Sequence, residues 1–420
     1  MSNLQQAHNH SKSQRAAMQA ESGLAYLTYL LRQASLPLAG TDQAILDPLA
    51  EHLSDCLDQG AAMGGATVSY DGTTISVPWM RKDDSQDGFS AELWMAEPNV
   101  LRVWVLGRAG DVYRKVQIDC NATGGHPIFG FGISSKGPIC FENNIEVRGQ
   151  NDPSEARLLS MAPGLAFRLE DDLTLDGDVY APDPNATVNV NGTGTIAGVP
   201  MWDPNVYDHV HIGEGFPSFP EIDTSVFEGF ATAIVDSSVE TDGTRNFKNI
   251  RIKAGTNPSF SGTINIQGVV FIEQPNKVTF GAGTTITGVI CTEAATPGPD
   301  NLIKFENGTY SYGTDELPDI APFREIREMT GSFILAPGFR VKFENDSGVI
   351  NGLIAADHVK FENAFNGTLR GGIICYGDDE IVAENLSCFT IDHDKYNDVP
   401  AGFVVDERRL VPNANSYVEP

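Results

Sequence analysis

The sequence predicts a mostly β protein built around a right-handed parallel β-helix, and two recurring patterns are the reason. The first is an apolar, β-type step that closes on an acid and an amide. Its clear copies are Ile303-Lys304-Phe305-Glu306-Asn307, Val341-Lys342-Phe343-Glu344-Asn345 and Val359-Lys360-Phe361-Glu362-Asn363. The second is a glycine followed by branched apolar residues, at Gly268, Gly288, Gly352 and Gly372, with spacings of 20 residues inside each pair. A period near 20 made of short β segments and turn residues is typical of a β-solenoid, whose coils bury their apolar faces only by stacking.

The repeated step also predicts which side chains face the core. On a strand, alternate residues point to opposite faces, so Phe305, Phe343 and Phe361 should point inward and the lysine between each apolar pair should stay in water. Asparagine after each strand suits a sharp corner, since it tolerates a left-handed backbone. Gly308 and Gly331 continue the glycine series, and all six glycines should fall at equivalent places on successive coils.

Composition narrows the function classes. The 420 residues include 28 basic and 56 acidic side chains, a net charge of −28, which argues against nucleic acid as a partner because its phosphates would be repelled. The balance suits a secreted or surface protein. The sequence contains no run of about 18 apolar residues, so it predicts no membrane span. Residues 1–16 are polar and do not have the pattern of a signal peptide.

The six cysteines are scattered, so they do not indicate a disulfide scaffold. Cys291 and Cys375 share a motif but lie 84 residues apart, about four coils. At roughly 4.8 Å per coil they would be nearly 20 Å apart, beyond disulfide range. They are predicted to be free, buried thiols.

The region before the solenoid reads as helix followed by strands. Apolar residues at three- and four-residue steps predict a helix, and a second helix is predicted from about Asp42 to Asp58. The first stripe consists of Ala17, Ala20, Leu24, Leu27 and Leu31. Residues 66–120 then read as antiparallel strands, with an Asp71-Gly72 hairpin turn. The predicted domains are a helical segment 1–60, a small antiparallel β region 61–128, a β-helix 129–400 with an insertion at about 200–245, and a loose tail 401–420.

The stretch Ala20-Glu21-Ser22-Gly23-Leu24 resembles the segment that follows the membrane helix in pilin-like proteins of type IV pilus systems, particularly PilX-type minor pilins. The solenoid also resembles the C-terminal regions attached to some PilX-type proteins. The resemblance implies a non-enzymatic surface protein that assembles with other pilin subunits or a secretion assembly and displays its β-helix for adhesion to surface ligands or polysaccharide. It also implies an upstream hydrophobic segment that holds the protein at the inner membrane before assembly.

Three alternatives stay open. A helical hairpin packed on a β-domain explains the first 60 residues without a pilus. A polymer-forming structural solenoid explains the repeats. A polysaccharide-processing β-helix of the pectin-degrading type is favoured by Asp171-Asp172 and Arg251-Ile252-Lys253, which resemble two short motifs of those enzymes. Its Asn-Thr-Asp motif is absent, however, and a net charge of −28 would repel a uronic-acid substrate.

Other polar clusters are interpreted as ordinary surface. His209 and His211 would share one face of a strand, the start of a metal site, but further ligands are missing. Asp392, Asp394 and Asp398, or Asp176 and Asp178, could offer oxygens to calcium but lack the pattern of a calcium loop. Asn-x-Ser/Thr sequons begin at Asn121, Asn185, Asn191, Asn307, Asn345, Asn366 and Asn385. The sequence therefore assigns no catalytic, cofactor or metal residues, with calcium as the one cofactor considered.

Overall fold

The structure is a computed structural model that describes residues 3–34, 36–37, 42–58, 67–81, 87–124, 126–213, 218–294, 296–306, 310–345, 348–362, 365–383, 387–393, 399–404 and 407–419. The chain forms two compact units. The first, here the helix–sheet unit, comprises Met1–His126 and Val405–Pro420. The second, the solenoid unit, comprises Pro127–Val404. The solenoid unit is thus an insertion between two segments of the helix–sheet unit.

The helix–sheet unit packs two helices on an antiparallel sheet. Its elements are α1 Asn3–Gln33, β1 Leu36–Pro37, α2 Asp42–Asp58, β2 Ser69–Tyr70, β3 Thr74–Arg81, β4 Gly88–Glu97, β5 Val100–Ala109 and β6 Val112–Gly124, together with a last strand Glu407–Val418. Among the described residues the strand order is β1, the last strand, β6, β5, β4, β3, β2. The core joins both helices to the sheet through residues such as Leu27, Leu49, Leu93 and Val103, all fully buried. The second helix has the bounds that the sequence predicts.

One expectation about the ends of this unit, the loose tail 401–420, is wrong. Helix α1 begins at Asn3, well before the apolar stripe that predicts it. Polar contacts fix this part of α1, because Lys12 binds Asp111 at 2.6 Å and Arg15 binds Asp87. The expected loose tail is instead a strand that pairs with β6 and buries Leu410. The edge of the sheet at β6 supplies backbone hydrogen-bond partners for this strand, which the irregular sequence of the tail does not predict.

The described residues of the solenoid unit form a β-solenoid of about 12 turns, so the predicted fold class is confirmed. Its strands are β7 Ile133–Ser135, β8 Ile139–Phe141, β9 Glu146–Gly149, β10 Leu158–Ser160, β11 Leu165–Asp171, β12 Thr174–Leu175, β13 Val179–Ala181, β14 Thr187–Gly192, β15 Thr195–Ile196, β16 Val199–Pro200, β17 Val210–Ile212, β18 Glu221–Ile222, β19 Ala233–Val235, β20 Asp242–Ile252, β21 Ser259–Ile272, β22 Lys277–Phe280, β23 Thr284–Thr292, β24 Leu302–Phe305, β25 Tyr310–Tyr312, β26 Ser332–Glu344, β27 Gly348–Asn351, β28 Leu353–Glu362, β29 Asn366–Arg370, β30 Ile373–Cys375, β31 Ile381–Ala383, β32 Cys388–Asp392 and β33 Phe403–Val404. The last strand of the chain, in the helix–sheet unit, is β34. Short α-helices are α3 Ser225–Glu228 and α4 Arg324–Arg327, and 3-10 helices span Pro127–Gly130, Pro153–Ala156, Pro204–His209 and Thr314–Glu316.

The inward prediction for the phenylalanines is confirmed. Phe305, Phe343 and Phe361 are at most 1% exposed and belong to a continuous column of stacked rings. Successive ring centroids are 5.3, 5.2, 4.8 and 5.3 Å apart along Phe260, Phe280, Phe305, Phe343 and Phe361. The strands that carry them pair in parallel, with Phe305 opposite Phe343 and Phe343 opposite Phe361. Identical side chains in register therefore fill one line of the solenoid core.

The prediction that the six glycines lie at equivalent places on successive coils is confirmed in part. Gly268 pairs with Gly288, and both have the positive φ of a corner that L side chains rarely adopt. Gly308 lies outside the described residues. Gly372 is displaced by one position, because Ile354 pairs with Ile373 and it is Gly371 that stacks on Gly352. That coil has 19 residues rather than 20, so a fixed period misplaces its corner.

Asparagines occupy corners of the solenoid, and one that lies outside the repeated step also bonds the neighbouring coil through its side chain. Asn345 has a φ of 61°, in the left-handed region. Asn249 also has a positive φ, is 3% exposed, and its Oδ1 accepts a hydrogen bond from the Val269 amide at 3.0 Å. The amide side chain thus satisfies a backbone donor of the next coil where the corner interrupts strand pairing.

The order of coils along the stack differs from their order along the chain. Strands β7–β17 form one end of the stack, and β7 then pairs with β30 near the end of the chain. Strand pairs connect β17 to β19 in ten steps, through β13, β10, β7, β30, β28, β26, β23, β21 and β20. Ten steps correspond to roughly 48 Å. The segment between β17 and β19 therefore crosses the length of the stack, which no local sequence pattern predicts.

This crossing segment also covers an apolar outer face of the solenoid. Phe227 is fully buried in a cluster with outward residues such as Phe271 and Leu335. Phe219 packs edge-on against Tyr376 at 5.5 Å, and the Tyr376 hydroxyl donates to the Pro220 carbonyl at 2.7 Å. The proline- and aromatic-rich composition of the stretch follows, because it must be apolar toward the sheet without forming a strand in it.

The cysteine expectation needs one correction. Cys291 and Cys375 are free and buried, as predicted. They are three coils apart rather than four, because Cys291 pairs with Leu335 across a single coil of 44 residues. They also face opposite sides of the sheet, since Cys375 lies in the solenoid core and Cys291 in the outer apolar cluster. Three coils still separate them by roughly 14 Å, beyond disulfide range.

The lysines of the repeated step form an ion-pair ribbon on the outside. Lys342 contacts Glu344 at 2.8 Å and Glu362 at 2.7 Å, and Lys304 and Lys360 extend the ribbon in both directions. The hydrogen bond from Lys342 is the main cause that lowers the pKa of the Glu362 carboxyl, followed by the opposing effect of burial. The ribbon therefore ties adjacent coils together while its acids are ionised.

We expect Phe343→Ala to lower the free energy of unfolding by about 3–5 kcal/mol, because it removes a buried ring from the middle of the column. The denaturant midpoint of the circular dichroism signal measures this. Tyr312→Ala, at a 45% exposed ring, is the control and should leave the midpoint nearly unchanged. Equal midpoints for the two variants would contradict the column.

The ribbon should make stability depend on acid pH. A carboxyl whose folded pKa is depressed stabilises the fold above its unfolded pKa, and this contribution disappears as pH falls through the folded value. We therefore expect Lys342→Gln to be less stable than the wild type at pH 7, with the difference shrinking below pH about 4.5. Urea midpoints between pH 3 and 7 test this. A difference that stays constant over that range would argue against the ion pairs.

Candidate assembly surface on the N-terminal helix

Helix α1 is held on the sheet by one apolar stripe. Ala16, Ala20, Leu24, Leu27 and Leu31 follow steps of four, four, three and four, and each is at most 7% exposed. Ala16, not the expected Ala17, starts the stripe. This spacing places the five side chains on one face of the helix, where they join the sheet core.

Small residues let the helix approach the sheet closely. A side chain at Gly107 of β5 would collide with the Ala16 carbonyl and the Ala20 amide, and a side chain at Gly23 would overlap the Phe89 ring. This close packing accounts for the small residues in the stretch 20–24, which resembles a segment of pilin-like proteins. Ala20, Gly23 and Leu24 face the sheet, whereas Glu21 and Ser22 are exposed.

The opposite face of α1 carries exposed apolar side chains. Met18 is 63% exposed and Tyr29 is 60% exposed, with Tyr26 beside it at 41%. Ala25 is also exposed on this side. We call Met18, Ala25, Tyr26 and Tyr29 the outer stripe. Covering exposed apolar side chains of this kind with a partner lowers the free energy of the system.

A groove of about 650 Å³ runs beside the outer stripe. Its walls come from α1, from Ile118 of β6 and from the end of the chain; the lining residues are Glu21, Leu24, Ala25, Thr28, Tyr29, Ile118, Tyr417 and Glu419. Burial, together with a hydrogen bond to Glu419, raises the pKa of the Tyr417 hydroxyl. The groove thus combines an apolar floor with carboxylates at its rim.

Leu24 and Leu27 do not belong to the exposed surface. They are 7% and 0% exposed and lie in the core. An acidic substitution at either position would disrupt the helix–sheet unit itself. The outer stripe, which sequence periodicity did not single out, is an accessible apolar surface among the described side chains of this helix.

The two motifs of the pectin-degrading alternative do not come together. Asp171 lies in the coil of β10 and β11, and Arg251 lies in β20. Strand pairing from Leu159 of β10 to Arg251 of β20 takes seven coil-to-coil steps, or roughly 34 Å. Arg251 and Lys253 instead bind Glu273, at 3.4 and 2.6 Å. These residues do not form a joint catalytic site.

The histidine pair is brought together by an aspartate. His209 ends a 3-10 helix rather than a strand, and its Nδ1 lies 2.9 Å from Asp178 Oδ1. His211 Nε2 lies 3.1 Å from Asp178 Oδ2, and its ring stacks on Tyr180 at 4.4 Å. Both carboxylate oxygens are thus engaged by the imidazoles. In the described part of the chain no group of three or more His, Cys, Asp or Glu side chains could hold a metal ion.

The calcium candidates are also placed only in part. Asp392 pairs with Arg370 at 3.5 Å, while Asp394 and Asp398 lie outside the described residues. Of the sequon asparagines, Asn307 and Asn385 also lie outside them. The sequence assigns no cofactor to this protein, and that stays a prediction.

The molecule defined so far is a β-solenoid inserted into a helix-on-sheet unit. No family model matches this chain, and no curated protein matches it. Among solved structures, the competence-associated pilin ComZ from Thermus thermophilus is similar over 97% of both chains, with a TM-score of 0.31 and 10% sequence identity. A likeness at that level carries no conclusion about this chain. Within the described helices, none has the length and apolar character needed to cross a bilayer.

Gly107→Val should separate α1 from the sheet, because its Cβ would meet helix backbone rather than a movable side chain. We expect a loss of several kcal/mol in the stability of the helix–sheet unit, comparable with severe overpacking. Hydrogen exchange of α1 amides measures it. Gly130→Ala, where an added Cβ meets open space, is the control. Unchanged α1 protection in Gly107→Val would contradict the close packing.

Proposed function

We propose that this protein is a non-enzymatic, pilus-associated surface protein of the PilX-like class. Helix α1 and its sheet form the part that assembles with other pilin subunits, and the solenoid is the part displayed outside the cell. The observation that carries this proposal is the division of α1 into two faces. One face is buried on the sheet, and the other leaves Met18, Tyr26 and Tyr29 exposed next to an apolar groove.

The length of α1 supports an assembly role. Its 31 residues span about 46 Å, more than a small sheet needs for a covering helix. A helix with a second apolar stripe can pack against a neighbouring helix without giving up its own sheet contacts. The groove beside Tyr29 offers that neighbour a concave seat of apolar floor and acidic rim.

The position of the solenoid in the chain supports a display role. The chain leaves the sheet after β6 and returns to it as β34, and these two strands are antiparallel neighbours. An insertion between adjacent strands lets a large module be added while the sheet keeps its order. The enzyme alternative loses its main support, because its two motifs are roughly 34 Å apart along the stack.

The proposal is tested in the native host, with the gene and its upstream sequence intact. We expect Tyr29→Asp and Met18→Asp to reduce the protein in sheared surface filaments at least tenfold, because a charge would be buried at the helix contact. Tyr113→Asp, at a 47% exposed tyrosine of the same unit but outside α1, is the matched control. Circular dichroism of the purified variants checks folding.

Two outcomes would overturn the proposal. One is absence of the wild-type protein from both the surface and the sheared fraction. The other is normal incorporation of the Tyr29→Asp and Met18→Asp variants, which would mean that the outer stripe has no part in assembly.

A further inference from the structure

One outer face of the solenoid carries two straight rows of side chains. In the first row, Asn246 pairs with Asn265, Asn265 with Thr285 and Thr285 with Tyr310. In the second row, Lys248 pairs with Gln267, Gln267 with Thr287 and Thr287 with Tyr312. Between the rows lie inward residues such as Ile266 and Ile286, both fully buried. We call these eight outward side chains the polar face.

The polar face differs in charge from the rest of its unit. Residues 127–404 contain 17 Lys and Arg against 39 Asp and Glu, so they carry −22 of the net charge. The polar face has amides, hydroxyls and phenols, with Lys248 as its single charged group. Asn265 also donates to Asn246 Oδ1 at 3.3 Å, which holds the start of the first row in line.

The two rows end on exposed aromatic rings. Tyr310 is 53% exposed and Tyr312 is 45% exposed, two large rings on the same side of one strand. The backbone between them is fixed, because Ser311 is 5% exposed and its oxygens accept hydrogen bonds from Asn351 at 2.8 and 2.6 Å. Successive strands place the side chains of each row roughly 4.8 Å apart, and neighbours within a strand about 7 Å apart.

We propose that the polar face binds an extended, uncharged polysaccharide lying along the rows. The row spacing is close to the rise of one sugar ring in an extended glycan, so each coil would meet one ring. Amides and hydroxyls provide both donors and acceptors for sugar hydroxyls. The tyrosine faces, which carry partial negative charge, suit the polarised C–H groups of a sugar ring.

Charge decides which polysaccharide class fits. A solenoid unit with a net charge of −22 repels polymers of uronic acids or phosphodiesters. A neutral glycan avoids this cost, and the two rows themselves carry no acidic side chain. The proposal does not rest on filament assembly, since the polar face belongs wholly to the solenoid unit.

The test is affinity gel electrophoresis of the purified chain in gels containing hydroxyethylcellulose, xylan, galactomannan or, separately, polygalacturonate. We expect at least one of the uncharged polymers, and not polygalacturonate, to retard the wild type. The double variant Tyr310→Ala, Tyr312→Ala should bind that polymer at least tenfold more weakly. Tyr207→Ala, at a 57% exposed tyrosine off the polar face, should bind like the wild type.

Each contrary result overturns the proposal. Such results are no retardation by any uncharged polymer, equal retardation by polygalacturonate, or full binding by the double variant. A wild type that sediments as an oligomer and a double variant that sediments as a monomer would instead make the polar face a contact between copies. The circular dichroism midpoint of the double variant confirms that a loss of binding does not come from unfolding.

Discussion

Stacking of one coil on the next is the constraint on which the rest of this molecule depends. A single coil has too few inward side chains to form a core, so Phe305 is buried only because Phe280 and Phe343 lie on either side of it. Parallel register must then persist across corners, where the chain changes direction within one or two residues. Positive-φ residues such as Gly268 and Asn249 make those corners possible, and the Asn249 side chain replaces a lost strand contact.

Stacking also explains the unusual path of the chain. The first coils are extended at one end by β17, while the later coils begin at β19 and wind back to meet β7. A segment must therefore cross the stack, and its apolar side chains cover an outer face that would otherwise expose Phe271 and Leu335. The coils that meet at β7 and β30 are held by strand pairing without chain continuity between them.

Surface chemistry is divided among the solenoid faces. One face is apolar and covered, the ribbon around Lys342 is tightly ion-paired, and the rows from Asn246 and Lys248 are nearly neutral. Because every coil contributes to each face, a single substitution pattern repeated along the chain creates a long, uniform strip. A fold of this kind offers extended outer surfaces that run along the stack.

The sequence by itself determined the local rules of the solenoid. Alternation in Val-x-Phe fixes which side chains point inward, and the repeated lysine and glutamate fix the ribbon, because both depend only on strand geometry. The α1 stripe was equally visible from helical spacing, apart from the shift from Ala17 to Ala16. Only tertiary structure decided how many residues each coil holds, as the Gly371 corner and the 44-residue step from Cys291 to Leu335 demonstrate. It alone decided that β34 completes the sheet and that Tyr310 and Tyr312 continue rows begun 64 residues earlier, since those contacts join segments with no common local signal.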